Sequence, residues 1–319
     1  MGIVEAVYRK KLVHRYDDEG YIKYFSAADF PGLQAEPFRF TSVKNTLRGF
    51  WYRCGGERNE LIVFCHGVGG GHRSYMTEIA LLCGRGYTVL AYDNTGCFDS
   101  GGRDIGGFGQ SLADLDAAVK ALKADGAWEK FSRVFVMGHS WGGYAAANIP
   151  KYQSGFEKAV VISGFVSVER MLLTQTAGAK TAKDRFTFRR LCAFEKKACP
   201  AYFGANALDA VNEGKTKYLF AHSKDDPVVP YAEHTRYIRE NAKSDAEYLI
   251  VSGRMHNPNY TADAVVYMSE VLGGFQAAQK AGKMKTLDEK KAYFKDTDWR
   301  RMTAQDEAFW DRVCAFLQA

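Results

Sequence analysis

The chain predicts a doubly wound, mostly parallel α/β sheet with an inserted helical cap. Short continuous apolar runs read as strands buried on both faces of a parallel sheet. Helical segments separate them at βαβ spacing. The alternation breaks once, for about fifty residues between Gly164 and Lys215, where helical periodicity continues without a clear strand.

Taken in order, residues 38–53, FRFTSVKNTLRGFWYR, form two β-rich runs about a Lys44-Asn45 turn, followed by a Cys54-Gly55-Gly56 loop. ELIVFC (60–65) is the first buried strand; it ends in HGVGGGHRS and leads into a helical SYMTEIALLCGRG. YTVLAYD (87–93) is a second strand, SLADLDAAVKALKADG (111–126) an amphipathic helix, and RVFVMGHS (133–140) a third strand. A helix of small residues from Ser140 to Ile149 is closed by Pro150. Strands KAVVISG (158–164), KYLFAHS (217–223) and EYLIVSG (247–253) complete the series, with a helix at about 231–242. Residues 165–215 are assigned to the cap, and residues 1–164 and 216–319 to the core. Helical stretches at about 261–281 and 303–318 close the chain; Thr303 and Asp306 have capping-box spacing. Phe309, Val313, Phe316 and Leu317 make an apolar face that should pack on the sheet.

Composition narrows the function classes. With 46% hydrophobic and 25% charged residues and only 7 prolines, the chain has the make-up of an ordinary globular protein. Its net charge of +6 is mildly basic and is not gathered into the stripes that nucleic-acid binding needs. The charged N-terminus has no signal-peptide core, and no run approaches a membrane span, so a cytoplasmic protein is expected. The 7 cysteines are odd in number and scattered without a CxxC pair, which argues for reduced thiols rather than disulfides or zinc.

The chemistry centres on GHSWGG (138–143). Ser140 lies where a buried strand meets a small-residue helix, the context of a nucleophile elbow. Gly138 and Gly142 are expected there because strand and helix backbones approach too closely for a Cβ. A serine hydroxyl needs a base and an orienting acid. His256, after the last strand, is the candidate base, and Asp225 and Asp226, after KYLFAHS, are adjacent candidate acids. The carboxyl ends of parallel strands share one edge, which lets these distant residues meet. An oxyanion needs two backbone donors: the amide of Val68, in HGVGGG (66–71), and that of Trp141 are expected to supply them. The same glycine-rich loop fails as a nucleotide site, since His72-Arg73 stands where a P-loop needs Gly-Lys. Cys97 has no histidine placed to activate it. His139 should pack behind the elbow, His222 ends a strand, and His234 is expected in solvent.

As a set, these residues resemble the α/β-hydrolase superfamily, in its serine esterase, lipase and aminopeptidase-like branch. The resemblance is carried by His66-Gly67, Asp93-Asn94-Thr95-Gly96 with Ser100, GHSWGGY (138–144), DDPVVP (225–230) and His256-Asn257, and runs from about residue 38 to 256. The family pattern often has Arg at the position of Thr95. The form HGxxDxxVP favours Asp226, four after His222 and three before Val229, leaving Asp225 as a solvated or loop-capping carboxylate.

The resemblance implies a hydrolase of carboxylic esters with a Ser140-His256-Asp226 triad and no metal or organic cofactor. A thioesterase or serine peptidase would use the same residues, and a non-catalytic binding protein on this scaffold is the alternative of another class. The expected partner is a small-molecule acyl substrate, with no nucleic acid and no membrane span; homo-oligomerisation is left open. In the cap, KTAKDRFTFRRLCAFEKK (180–197) reads either as an amphipathic helix with a solvated basic face or as a lid favouring anionic acyl substrates such as acyl-CoA.

Overall fold

A computed structural model describes residues 2–55 and 58–319, so the Gly56 end of the expected loop lies outside the described residues. The strands are β1 (Gln34–Ser42), β2 (Asn45–Arg53), β3 (Glu60–Cys65), β4 (Thr88–Tyr92), β5 (Arg133–His139), β6 (Lys158–Ile162), β7 (Lys217–Ser223) and β8 (Glu247–Val251). The helices are α1 (Ile3–Lys11), α2 (Met76–Gly84), α3 (Gln110–Ala124), α4 (Trp141–Asn148), α5 (Val168–Gln175), α6 (Ala182–Ala198), α7 (Ala207–Glu213), α8 (Thr235–Asn241), α9 (Ala262–Lys280), α10 (Leu287–Phe294), α11 (Trp299–Met302) and α12 (Glu307–Gln318).

The strands form one sheet in the order β1-β2-β4-β3-β5-β6-β7-β8. β2 pairs antiparallel with both β1 and β4, and every pairing from β4 across to β8 is parallel. All residues of β3, β4 and β6 are buried, as their continuous apolar sequences require for strands covered on both faces. Successive side chains of β3 feed opposite cores. Leu61, Val63 and Cys65 pack with residues of α3 and α4, whereas Ile62 and Phe64 pack with residues of α2 and α12. Helices thus cover both faces, and the carboxyl ends of β3, β4, β5, β7 and β8 open on one edge.

The segment assigned to the cap holds α5, α6 and α7 between β6 and β7. Its basic stretch is amphipathic: Phe194 and Glu195 turn inward while Phe186, Lys196 and Lys197 face solvent. Three features depart from the sequence reading. α1, which the charge pattern hides, packs on α6, with the Tyr8 ring 5.5 Å from Phe194 in an edge-on contact. α10 and α11 fill the interval before the last helix. Thr303 does not cap that helix; it follows the end of α11 and its hydroxyl donates back to Trp299 O in the first turn of α11, and Asp306 is the N-cap, accepting the Phe309 N–H at 3.1 Å.

Candidate active site

Ser140 sits between β5 and α4 with φ 56 and ψ −114. That left-handed conformation costs a non-glycine residue about 1–3 kcal/mol and persists only where the surroundings enforce it. Here they do. A Cβ on Gly138 would collide with the carbonyl of Gly142, and one on Gly142 with the carbonyl of Cys65 at the end of β3. The glycines admit this crossing of strand and helix, and the turn lifts Ser140 off the strand. Its hydroxyl has no hydrogen-bond partner among the described residues, and the residue is 7% exposed.

The Gly-rich loop lies against this serine. A Cβ on Gly67 would be 3.3 Å from Ser140 Cβ and 2.7 Å from Tyr75 Oη, so a larger residue there would have to push the Tyr75 hydroxyl aside. Trp141 is the first residue of α4, where helix geometry leaves the N–H without an intrahelical acceptor and the helix dipole favours negative charge. Its side chain acts separately, the indole Nε1 donating to Phe108 O at 2.6 Å. Val68, half-buried, follows Gly67 in the loop.

β7 and β8 deliver the candidate acid and the candidate base. His256 Nδ1 is 2.8 Å from Asp226 Oδ2, leaving Nε2 as the nitrogen without a partner among the described residues. The Asp226 side chain is inaccessible, that of His256 18% exposed. Oδ1 of Asp226 accepts the N–H groups of Val228 and Val229 at 2.8 and 3.0 Å. Burial alone would raise this carboxyl, but hydrogen bonds from His222 and His256 and the Val229 amide hold it well below the carboxylate range. It is therefore ionised at neutral pH.

Asp225 points elsewhere. It accepts from Ser223 Oγ at 2.6 Å, Gly253 N–H at 2.8 Å and Met255 N–H at 3.3 Å, which makes it a clamp on the loop that carries His256. The loop needs one, because Met255 has φ 49.

Other expectations fare differently. His222 does end β7, but its Nε2 also donates toward Asp226 Oδ2 (3.1 Å) and Val229 O (2.8 Å), so two imidazoles share one carboxylate. His234 is not in solvent: it is fully buried beneath Phe165, with Nδ1 3.4 Å from the Val166 N–H, and burial pushes it down to about 3. The turn before α8 tucks it inward, a direction its helix-adjacent position in sequence does not disclose. Cys97 is buried and its thiol is pushed up by burial, which suits an inert residue. Thr95, where the family pattern often has Arg, gives its N–H and hydroxyl to the buried Asp114 carboxylate at 2.7 and 2.9 Å.

Two contributors are not visible in the motifs. Arg15 donates to Ser100 O at 3.0 Å, to Gly102 O at 2.8 Å and to Phe98 O, and Tyr16 exchanges backbone bonds with Gly96 and Phe98, so the N-terminal segment fastens the loop after β4. Tyr75 bridges Gly67 and His139. Nothing in either local sequence marks it for that role.

Residues 56–198 match the family model described as serine aminopeptidase, S33. A proline iminopeptidase of Saccharolobus solfataricus is 31% identical over 121 residues, a match spanning 37% of this chain and 37% of that protein. Among solved structures, an esterase of Pyrococcus furiosus aligns with a TM-score of 0.59 at 20% identity, covering 85% of this chain and 97% of its own. An acylaminoacyl peptidase of Pyrococcus horikoshii aligns at 0.52 and 17% identity, covering 72% of this chain and 39% of its own.

Proposed function

We propose that this chain, which has the α/β-hydrolase fold and matches a serine aminopeptidase family model over residues 56–198, is a serine hydrolase acting on carboxylic esters through Ser140, His256 and Asp226. One observation carries the reading. A strained serine at the β5–α4 turn, its hydroxyl without a hydrogen-bond partner among the described residues, shares its sheet edge with a histidine whose Nδ1 is engaged by a buried, ionised aspartate.

Ser140 Oγ attacks the ester carbonyl carbon while His256 Nε2 takes its proton. Asp226 keeps Nδ1 protonated, so that Nε2 is the basic nitrogen, and stabilises the imidazolium that forms. The carbonyl oxygen becomes an oxyanion held by the amides of Val68 and Trp141. As the tetrahedral intermediate collapses, His256 returns the proton to the leaving alcohol. Water, deprotonated by the same nitrogen, then attacks the acyl-enzyme, and the acid and free Ser140 are released.

Ester cleavage is preferred because the esterase alignment spans 85% of this chain and 97% of its own, whereas the peptidase matches span only 39% and 37% of the peptidases' own lengths; they keep amide cleavage as the second reading. Both use the same residues. The test is a panel of short p-nitrophenyl esters, thioesters and aminoacyl anilides with wild type and Ser140→Ala, alongside fluorophosphonate labelling. Ester turnover and labelling that both vanish in Ser140→Ala are expected. Undiminished turnover in that variant would reject the mechanism, and turnover of anilides alone would move the assignment to a peptidase.

A further inference from the structure

The loops that carry the nucleophile, the base and the oxyanion donor are joined by a half-buried tyrosine and a buried histidine in one hydrogen-bonded line. The hydroxyl oxygen of Tyr75 accepts the Gly67 N–H at 3.0 Å and lies 2.9 Å from Nδ1 of His139. The other ring nitrogen, Nε2, is 2.9 Å from the main-chain carbonyl of His256. A carbonyl oxygen only accepts, so Nε2 carries a hydrogen. Burial, and then the neighbouring His256, push His139 down to about 3, so the ring is neutral near pH 7 and Nδ1 is bare. Tyr75 must therefore donate to it. All three bonds then point the same way, from Gly67 N–H through Tyr75 and His139 to the carbonyl of His256.

Each end of this line is next to a group that the reaction needs fixed. Gly67 precedes Val68, His139 precedes Ser140 in the elbow, and the last acceptor belongs to the base itself. The rings of His139 and His256 lie 4.7 Å apart. Resting on the reading of Ser140 and His256 given above, we propose that Tyr75 and His139 are positioning residues that hold the oxyanion loop and the His256 loop in register with the nucleophile.

Asp225 clamps the His256 loop from the side of Gly253 and Met255, and His139 holds it from the side of the elbow. With both contacts the strained backbone at Met255 is over-determined. With His139 removed, the carbonyl of His256 loses its donor and Tyr75 loses its acceptor, so both loops are freed by one change. The positions of the base and of the Val68 amide matter in the transition state more than in substrate binding, so the loss should fall on kcat.

The test uses the full chain with a short p-nitrophenyl ester and compares wild type, Ser140→Ala, Tyr75→Phe, His139→Gln, His139→Leu and the Tyr75→Phe/His139→Leu double variant, with melting temperatures for each. His139→Leu is expected to lower kcat by about 100-fold with KM within about twofold, the scale on which small misplacements of reacting groups act. His139→Gln keeps a donor for His256 O and an acceptor for Tyr75, and should regain about ten-fold of that loss. The double variant should be no slower than His139→Leu, because both changes cut one line.

Folded Tyr75→Phe and His139→Leu variants with wild-type kcat would overturn the proposal, as would a Gln variant as slow as Leu or losses that multiply. Should His139→Leu fail to fold, Tyr75→Phe, which lacks a single oxygen, decides alone: a kcat drop supports the line and a wild-type kcat removes it. Inactive Ser140→Ala beside unimpaired Tyr75→Phe and His139→Leu rejects the positioning role alone, whereas active Ser140→Ala rejects the nucleophile.

Discussion

Two adjacent aspartates with opposite roles illustrate what decides function at the level of single residues. Asp226 faces inward from the end of β7 and receives two imidazoles and two amides; Asp225, one peptide earlier, faces the neighbouring loop and receives a hydroxyl and two amides. Asp226→Asn should leave the fold intact but remove the anion that keeps Nδ1 of His256 protonated, and is expected to lower kcat by about 10⁴-fold in ester assays. Asp225→Asn should act through the loop instead, lowering the melting temperature with a much smaller loss in kcat. Equal kcat losses in the two variants would mean that the acid is misassigned. The motif form could rank the pair, because His222 and Val229 fix the count. It could not show that His222 itself shares the carboxylate, since that depends on where two side chains point after the strand ends.

Whole elements were legible where burial is complete. β3 to β7 are short apolar runs whose only stable place is a sheet covered on both faces, and Gly138 and Gly142 announce the strand-to-helix crossing by the close approach they permit. α1 was hidden for the converse reason: one residue of it, Tyr8, is buried, and its seat is made by α6, far away in sequence. That seat is a titratable contact. Tyr8 donates to the buried Glu195 carboxylate at 2.6 Å, and the Phe108 N–H does so at 2.8 Å. Burial outweighs these bonds and pushes Glu195 up to about 7. A raised carboxyl binds more protons folded than unfolded, so its contribution to stability is complete below its unfolded value and lost as pH rises through about 7. Urea denaturation from pH 5 to 8 should therefore show a falling component that disappears in Glu195→Gln, which is neutral throughout; the same slope in both proteins would refute the assignment.

Across the whole molecule, the doubly wound topology gathers distant residues on one sheet edge and seals others in the layers beneath. The sequence order Ser, Asp, His was enough to anticipate the first effect, but not the second, because a histidine carries no pattern that tells a sealed site from a solvated one. His139 and His234, 6% and 0% exposed, are both pushed down to about 3. In the unfolded chain each would take up a proton near pH 6.5, as an unperturbed imidazole does. Between about pH 6.5 and 3 the unfolded state therefore binds more protons at these positions, and stability falls as pH falls, by up to about 1.4 kcal/mol per pH unit for each histidine. Glu195 opposes this trend over part of the range, so total stability does not isolate the effect and a difference measurement is needed. His234 is the better probe, since it lies outside the hydrogen-bonded line at the elbow and its Nε2 has no partner among the described residues to confuse the comparison. Urea unfolding of wild type and His234→Gln between pH 6.5 and 4.5 should differ by close to one proton in the uptake on unfolding, with the wild type the steeper. Parallel curves would mean that His234 holds the same charge folded and unfolded, and that the space beneath Phe165 admits an imidazolium.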